Sequence, residues 1–185
     1  MMNGTEGQER RTSSRVDDAT EVSTEEPPWT VDDAKELYMT NRWGAGYFDV
    51  NDEGNLTIAP LQERGRKIAI HDVVQASLAQ GLKTPLLIRF QDLLHHRVRT
   101  LNEAFKSAIA EHKFRGAYRG VFPIKVNQLR EVVEEILDAG RAYHFGLEVG
   151  SKPEVFAGLA VHTDNDSLIV CNGYKDDNFI RTALI

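Results

Sequence analysis

Apolar and polar residues alternate in a regular order along the second half of the chain. Short apolar runs centred near residues 121, 148 and 170 are typical of buried strands. The stretches between them repeat apolar residues every three or four positions, which is the period of an amphipathic helix. Strands that alternate with helices form βαβ units, in which the strands run parallel. The pattern therefore predicts an α/β fold with a parallel sheet.

Two of the predicted helices have well-marked apolar faces. The face of the first, from Asp92 to His112, consists of Leu94, Val98, Leu101, Phe105 and Ile109. The face of the second, which ends at Gly140, consists of Leu129, Val132, Val133, Ile136 and Leu137. A third helix is predicted after Ser151, which can form a capping box with Glu154, and a fourth after Asp176 as its N-cap.

The first part of the chain has a different composition. Residues 1–28 hold seven acidic, three basic and only five apolar side chains, which predicts a disordered acidic tail. The pattern of residues 29–83 predicts a short helix capped by Thr30. It then predicts an antiparallel β segment with a turn at residues 52–54, followed by a helix that ends before Gly81. The βα pattern occupies residues 84–185, so we place the boundaries of the chain's parts at residues 28 and 83.

Charge and composition exclude several classes of function. The formal net charge is −6, which argues against a nucleic-acid-binding protein or one that binds anionic membranes. No apolar run approaches the roughly 20 residues that span a bilayer, and the first 28 residues have no apolar core of a signal peptide. Cys171 is the single cysteine, so an intrachain disulfide is impossible. These observations predict a soluble, cytoplasmic protein.

The segment VFPIKVNQ contains the strongest candidate for chemistry. Lys125 lies near the carboxyl end of a strand that is otherwise apolar enough to be buried, and burial lowers the pKa of a lysine toward that of a nucleophilic neutral amine. Pro123 is also unusual there, because proline cannot donate to the ladder of a central strand. Two residues that are unusual in a buried strand, Lys125 and Pro123, indicate a functional site. The alternative is that Lys125 lies past the strand end and extends to solvent.

Polar residues also follow the next two predicted strands. Glu148 would lie at the same end of the sheet as Lys125, where its carboxylate could position the lysine or a cofactor. The alternative is a structural ion pair between Glu148 and an arginine. Asn172 and Gly173 follow the third strand, where glycine permits close approach of a ligand to the backbone. An Asn-Gly hairpin turn is the alternative, although the helical pattern that follows disfavours it.

The six histidines form no metal-binding pattern. His95 and His96 are adjacent on a predicted helix and point about 100° apart, and the other four are isolated in the sequence. The basic run HHRVR at residues 95–99 is predicted to form a solvated helix face. We therefore predict no metal ligand in this chain.

Six segments of the sequence resemble one family. They are WGAGYFDVN (43–51), TPLLIRFQDLL (84–94), RVRTLNEAF (97–105), GVFPIKVNQLREVVEEI (120–136), GLEVGSKPE (146–154) and IVCNGYKDDNFIRTALI (169–185). In this order they resemble the biosynthetic arginine decarboxylases, which belong to the fold-type III, alanine-racemase-like enzymes that use pyridoxal 5′-phosphate (PLP).

The resemblance implies a fold and an activity. The fold would be the first three or so units of a PLP-binding (β/α)₈ barrel over residues 84–185, with residues 29–83 belonging to a second, β-rich domain. The activity would be decarboxylation of L-arginine to agmatine and CO₂, the first step of a polyamine route to putrescine and spermidine. A closed barrel takes about 250 residues. We therefore interpret the chain as the N-terminal part of a longer enzyme, inactive by itself.

The resemblance also implies roles for two residues. Lys125 would bind PLP covalently and act in catalysis, and Glu148 would be a carboxylate near the cofactor. It further implies a need for Mg²⁺ and a homo-oligomer with active sites between subunits. The residues that hold the PLP phosphate and the pyridine nitrogen would lie beyond Ile185. Two alternatives remain: a non-catalytic regulatory or binding relative with the same fold, and a decarboxylase for another basic amino acid.

Overall fold

The computed structural model describes residues 28–62 and 65–184, so the predicted acidic tail lies, apart from Pro28, outside the described residues. The helices are α1 (Val31–Leu37), α2 (Thr40–Trp43), α3 (Ile70–Ala79), α4 (Gln91–Glu111), α5 (Arg130–Gly140), α6 (Lys152–Val161) and α7 (Asp177–Ala183). The strands are β1 (Phe48–Val50), β2 (Leu56–Ile58), β3 (Ile68–Ala69), β4 (Val121–Pro123), β5 (Gly146–Val149) and β6 (Ile169–Cys171). None of the helices within these residues is long and apolar enough to cross a membrane.

The first three strands form a small antiparallel sheet in the order β1-β2-β3. The predicted helix before it begins at a capping box, in which the Thr30 hydroxyl accepts from the Asp33 N–H and the Asp33 carboxylate accepts from the Thr30 N–H. The turn between β1 and β2 is the predicted one, with Gly54 at φ +79°. Strand β3 was not predicted, since two residues are too few to give a periodic signal.

The second sheet is parallel, in the order β4-β5-β6. Each crossover contains a helix, α5 or α6, so the predicted α/β fold is confirmed. This sheet does not close into a barrel within the described residues. Its main core consists of Ile124, Val133, Leu147, Val149, Val155 and Phe179. A second cluster, of Val98, Val132, Ile136 and Phe145, joins α4 and α5 to the sheet.

The predicted apolar face of α4 is only half right. Val98 is buried, but Leu101 and Phe105 are 44% and 43% exposed. Helix α4 has 21 residues and its partner α5 has 11, so the C-terminal half of α4 extends beyond α5. There the Phe105 ring stacks on Tyr118, with centroids 3.9 Å apart.

The run HHRVR is only partly the solvated face that the sequence predicted: Arg97 and Arg99 are exposed, whereas the two histidines are half-buried. His95 Nε2 lies 2.6 Å from Glu135 Oε2 on α5, and His96 Nδ1 is hydrogen-bonded to the buried Tyr47 hydroxyl at 2.7 Å. The adjacent histidines point in different directions around the helix, so each meets a different neighbour. Helix α4 is thereby tied both to α5 and to the segment before β1.

Candidate functional site

The polar residues singled out in the sequence lie at the carboxyl edge of the parallel sheet, the edge at which β4, β5 and β6 end. A 3₁₀ turn, Ile124–Val126, follows β4 and contains Lys125. Glu148 is part of β5, and Asn172 follows β6 directly. Because the strands are parallel and in register, these three side chains come from neighbouring chain segments to one place.

Lys125 is not buried in a strand, contrary to the main expectation. Strand β4 ends at Pro123, and the 3₁₀ turn directs Ile124 into the core while the Lys125 side chain is 57% exposed. Proline lacks the N–H that would continue the ladder, which is a physical reason for the strand to end there. The alternative, a lysine past the strand end that extends to solvent, describes this geometry.

The exposed Lys125 amine is nevertheless paired. Lys125 Nζ donates to Glu148 Oε1 at 2.9 Å, and the Glu148 side chain is only 18% exposed. The partner of Glu148 is thus Lys125, rather than an arginine elsewhere in the described chain. An amine and a carboxylate held together in this way can bind a carbonyl compound and orient it.

Asn172 is a third member of this group, and the sequence did not indicate its partner. Asn172 Nδ2 donates to Glu148 Oε1 at 3.1 Å, the same oxygen that accepts from Lys125. The hydrogen bond from Lys125, followed by that from Asn172, lowers the pKa of Glu148 below its usual value. The carboxylate therefore remains ionised as an anionic anchor.

Gly173 brings the loop after β6 close to the loop after β5. Its φ is +76°, and a Cβ at this position would lie 2.9 Å from the Gly150 carbonyl oxygen. The Asn-Gly pair does not form a hairpin, because α7 follows it at Asp177. The close approach that the structure shows at this glycine is to the neighbouring loop, and the approach of a ligand stays a prediction.

Further polar contacts connect the loops at this edge. Ser151 caps α6 as predicted, but the Glu154 carboxylate accepts from the Gly150 N–H at 2.6 Å rather than from the N-cap residue. Glu154 also accepts from Gln128 Nε2 at 3.3 Å. Lys152 Nζ donates to Asp176 Oδ2 at 2.8 Å. The three loops thus form one connected polar surface.

Another titratable cluster lies away from this edge. His144, which precedes β5, has Nδ1 2.9 Å from Asp164 Oδ2, and Asp166 comes within 4.8 Å of both. The Asp166 backbone N–H, and then His144, lower the pKa of Asp164. The sequence treated His144 as isolated, because its partner is 20 residues away in the chain.

The chain is similar to proteins of known family. A family model described as "Pyridoxal-dependent decarboxylase, pyridoxal binding domain" matches residues 97–185. Biosynthetic arginine decarboxylases of Gloeobacter violaceus and Prochlorococcus marinus are 46% and 43% identical over 85% and 88% of the chain. The crystal structure of the biosynthetic arginine decarboxylase of Campylobacter jejuni superposes with a TM-score of 0.70 over 78% of the chain, at 32% identity.

These matches cover most of this chain but a smaller share of the relatives. The chain spans about a quarter of the two curated relatives' length, 24% and 25%, and 23% of the Campylobacter jejuni chain. The family model and the site geometry both concern the parallel βα part, whereas the structural match covers 78% of the chain. The chain is therefore similar to biosynthetic arginine decarboxylases over most of its length, and its residues 97–185 are similar to the pyridoxal-binding domain of pyridoxal-dependent decarboxylases.

Proposed function

We propose that this chain forms part of a PLP-dependent decarboxylase that converts L-arginine to agmatine and CO₂. The names of the relatives, biosynthetic arginine decarboxylases, support the substrate, and the family model supports the cofactor. The observation that carries the proposal is the Lys125–Glu148 pair, 2.9 Å apart at the carboxyl edge of the parallel strands. Ligands of parallel α/β proteins bind at that edge.

The residues at this edge fit PLP. The Lys125 amine is exposed and can reach an aldehyde, and the Glu148 carboxylate beside it can hold a cationic partner. Gly150 and Gly173 carry no side chain of their own at this edge, and their backbone N–H groups donate to Glu154 and Asn172. When bound, PLP supplies an electron-withdrawing ring that takes up the electrons left when CO₂ departs.

Lys125 and Glu148 have different tasks in this proposal. Lys125 would hold PLP covalently through its amine, and the bound cofactor would supply the aldehyde carbon at which the substrate amine reacts. Glu148 accepts a hydrogen bond from the Lys125 amine and holds it in position. The lowered pKa of Glu148 makes it a weak base, so its part is to orient and balance charge rather than to remove a proton from carbon.

The wider properties of the protein are proposals from the same resemblance. They are a homo-oligomer with active sites between subunits, a cytoplasmic location and a place in polyamine synthesis. We also propose that residues 29–83 belong to a second β-rich domain and residues 84–185 to a barrel; the separate antiparallel and parallel sheets support this division.

A requirement for Mg²⁺ is proposed for the enzyme but for no residue of this chain. Mg²⁺ prefers an octahedral set of oxygen ligands. The cluster of His144, Asp164 and Asp166 offers one nitrogen, and Asp164 already accepts from His144 and from the Asp166 N–H. The donors do not fit Mg²⁺, so the cation has no part in the steps above.

The test is to find the lysine that binds PLP. The full-length protein loaded with PLP is reduced with borohydride, and the pyridoxyl group is located by peptide mapping. We expect the label on Lys125 and loss of both label and activity in Lys125→Ala. Lys152→Ala is the matched control, because Lys152 lies at the same edge but its Nζ donates to Asp176 Oδ2.

Three outcomes would contradict the proposal. A pyridoxyl group on a lysine other than Lys125 would refute the assignment of the site. Release of CO₂ from labelled ornithine or lysine at a higher kcat/KM than from arginine would refute the substrate. A protein that binds PLP at Lys125 but releases no CO₂ from any of the three would instead support the non-catalytic alternative.

A further inference from the structure

We propose that Asn172 is a positioning residue that holds the Glu148 carboxylate in place beside Lys125 when PLP is bound. The inference rests on the proposed function, since it requires Lys125 to be the lysine that binds the cofactor. Three side chains from neighbouring strand ends meet at one carboxylate oxygen. Glu148 Oε1 accepts one hydrogen bond from Lys125 Nζ at 2.9 Å and one from Asn172 Nδ2 at 3.1 Å.

The backbone of Asn172 is held from two sides. Its N–H donates to the Val149 carbonyl oxygen at 2.8 Å, which fixes the residue beside the end of β5. Its carbonyl oxygen accepts from Lys175 Nζ. Main-chain contacts that do not involve Glu148 therefore fix the backbone position from which the Asn172 side chain extends.

The side-chain amide of Asn172 is oriented as well. Asn172 Oδ1 accepts from the Gly173 N–H at 2.7 Å, so the NH₂ group is the one that faces Glu148. Gly173 can present its N–H in this way because it adopts φ +76°, a conformation that L side chains rarely adopt. The Asn-Gly pair thus places a neutral hydrogen-bond donor on the carboxylate.

The two donors to Glu148 differ in what happens during the reaction. If Lys125 held PLP covalently, its nitrogen would keep at most one hydrogen to donate to Glu148. Asn172 would take no part in that bond and would continue to donate. Asn172 would therefore hold the Glu148 carboxylate near the linked nitrogen, where its negative charge would favour protonation of that nitrogen.

The other charged groups at this edge have partners of their own. Glu154 accepts from Gly150 and Gln128, Lys152 pairs with Asp176, and Lys175 donates to the backbone carbonyls of Asn172 and Gly173. Among the described residues, Lys125 and Asn172 are the side chains that donate to Glu148. Removal of the Asn172 side-chain amide should therefore affect Glu148 before the other charged groups at this edge.

The test is a pH titration of the visible absorbance of PLP bound to Lys125 in the full-length protein. Asn172→Ala removes the donor and should lower the apparent pKa of the C=N linkage by about half a unit or more. Asn172→Leu, which keeps the branched shape without the donor, should give the same shift, and circular dichroism checks that both variants fold. Asn178→Ala, in the first turn of α7, is the matched control and should leave the titration unchanged.

A double-mutant cycle shows whether Asn172 acts through Glu148. In a Glu148→Gln background the charge is absent, so adding Asn172→Ala should cause no further shift. A full shift that persists in this background would overturn the proposal, as would titrations of both Asn172 variants that match the control. A pyridoxyl label on another lysine would overturn the proposed site together with this inference. A label on Lys125 with an unchanged titration overturns the role of Asn172 alone.

Discussion

Pro123 and Glu148 are register partners on neighbouring parallel strands, and this pairing brings Lys125 onto Glu148. The chain leaves the sheet immediately after Pro123 and enters a 3₁₀ turn, so Lys125, two residues later, extends along the sheet edge rather than across it. A regular strand would continue the alternation of side chains through Ile124 and Lys125. The proline thus determines where the amine meets the carboxylate.

The first prediction concerns the 185-residue chain without further sequence. We expect it to release no CO₂ from labelled arginine even with PLP present, because Lys125 is 57% exposed and water reaches the amine freely. Release at a rate near that of the full-length enzyme, abolished by Lys125→Ala, would show that the chain is sufficient.

The second prediction concerns residues 1–28. Their few apolar side chains cannot offset the conformational entropy lost on ordering them, so their deletion should leave the activity of the full-length protein nearly unchanged. Activity and thermal unfolding of the deletion variant provide the measurement. A protein that loses activity or no longer folds would show that this segment makes contacts that its composition does not predict.

The third prediction concerns Gly146, the first residue of β5. A Cβ there would lie 2.0 Å from the Leu168 carbonyl oxygen, so the two strands would have to separate. Gly146→Ala should lower the free energy of unfolding by about 3 kcal/mol, since overpacking a close contact costs roughly this much.

Gly54 offers a matched control for that substitution. It has open space around the Cβ position but a φ of +79°, so Gly54→Ala should cost about 1 kcal/mol from backbone strain alone. Urea unfolding of both variants measures the difference. Equal losses would mean that the neighbouring strand adjusts to the added methyl group.

The fourth prediction concerns Asp176, which caps α7 and pairs with Lys152. The hydrogen bond from Lys152, followed by that from the Phe179 N–H, lowers the pKa of Asp176 below its ordinary 3.8. The carboxylate therefore stabilises the fold fully above that pH, and the contribution is lost as the pH falls through the lowered folded-state pKa.

Two substitutions separate the functions of Asp176. Asp176→Asn keeps an N-cap acceptor and loses only the ion pair, whereas Asp176→Ala loses both, so alanine should destabilise more. The difference in unfolding free energy between the unmodified protein and Asp176→Asn should shrink as the pH is lowered below 3.8. A difference that does not change with pH would show that the carboxylate charge contributes nothing.

Local features of the fold could be predicted from the sequence because they depend on neighbours along the chain. The helix caps at Thr30, Ser151 and Asp176 lie where the residue types indicated, and the apolar residues of α5 form the core that their spacing predicted. The succession of βα units followed from the same periodicity. Lys125 could be identified as a candidate because it is a single charged residue at the end of an apolar run.

The contacts that make these residues a site depend on tertiary structure. Glu148 meets Asn172 across 24 residues of sequence, and His95 and His96 meet Glu135 and Tyr47 across 40 and 49. Such pairs depend on strand register and helix packing, which no local pattern encodes. The exposure of Lys125 likewise depends on a strand that ends at Pro123. The sequence therefore determined which residue types were available for chemistry. Only the folded sheet decided which of these residues are in contact.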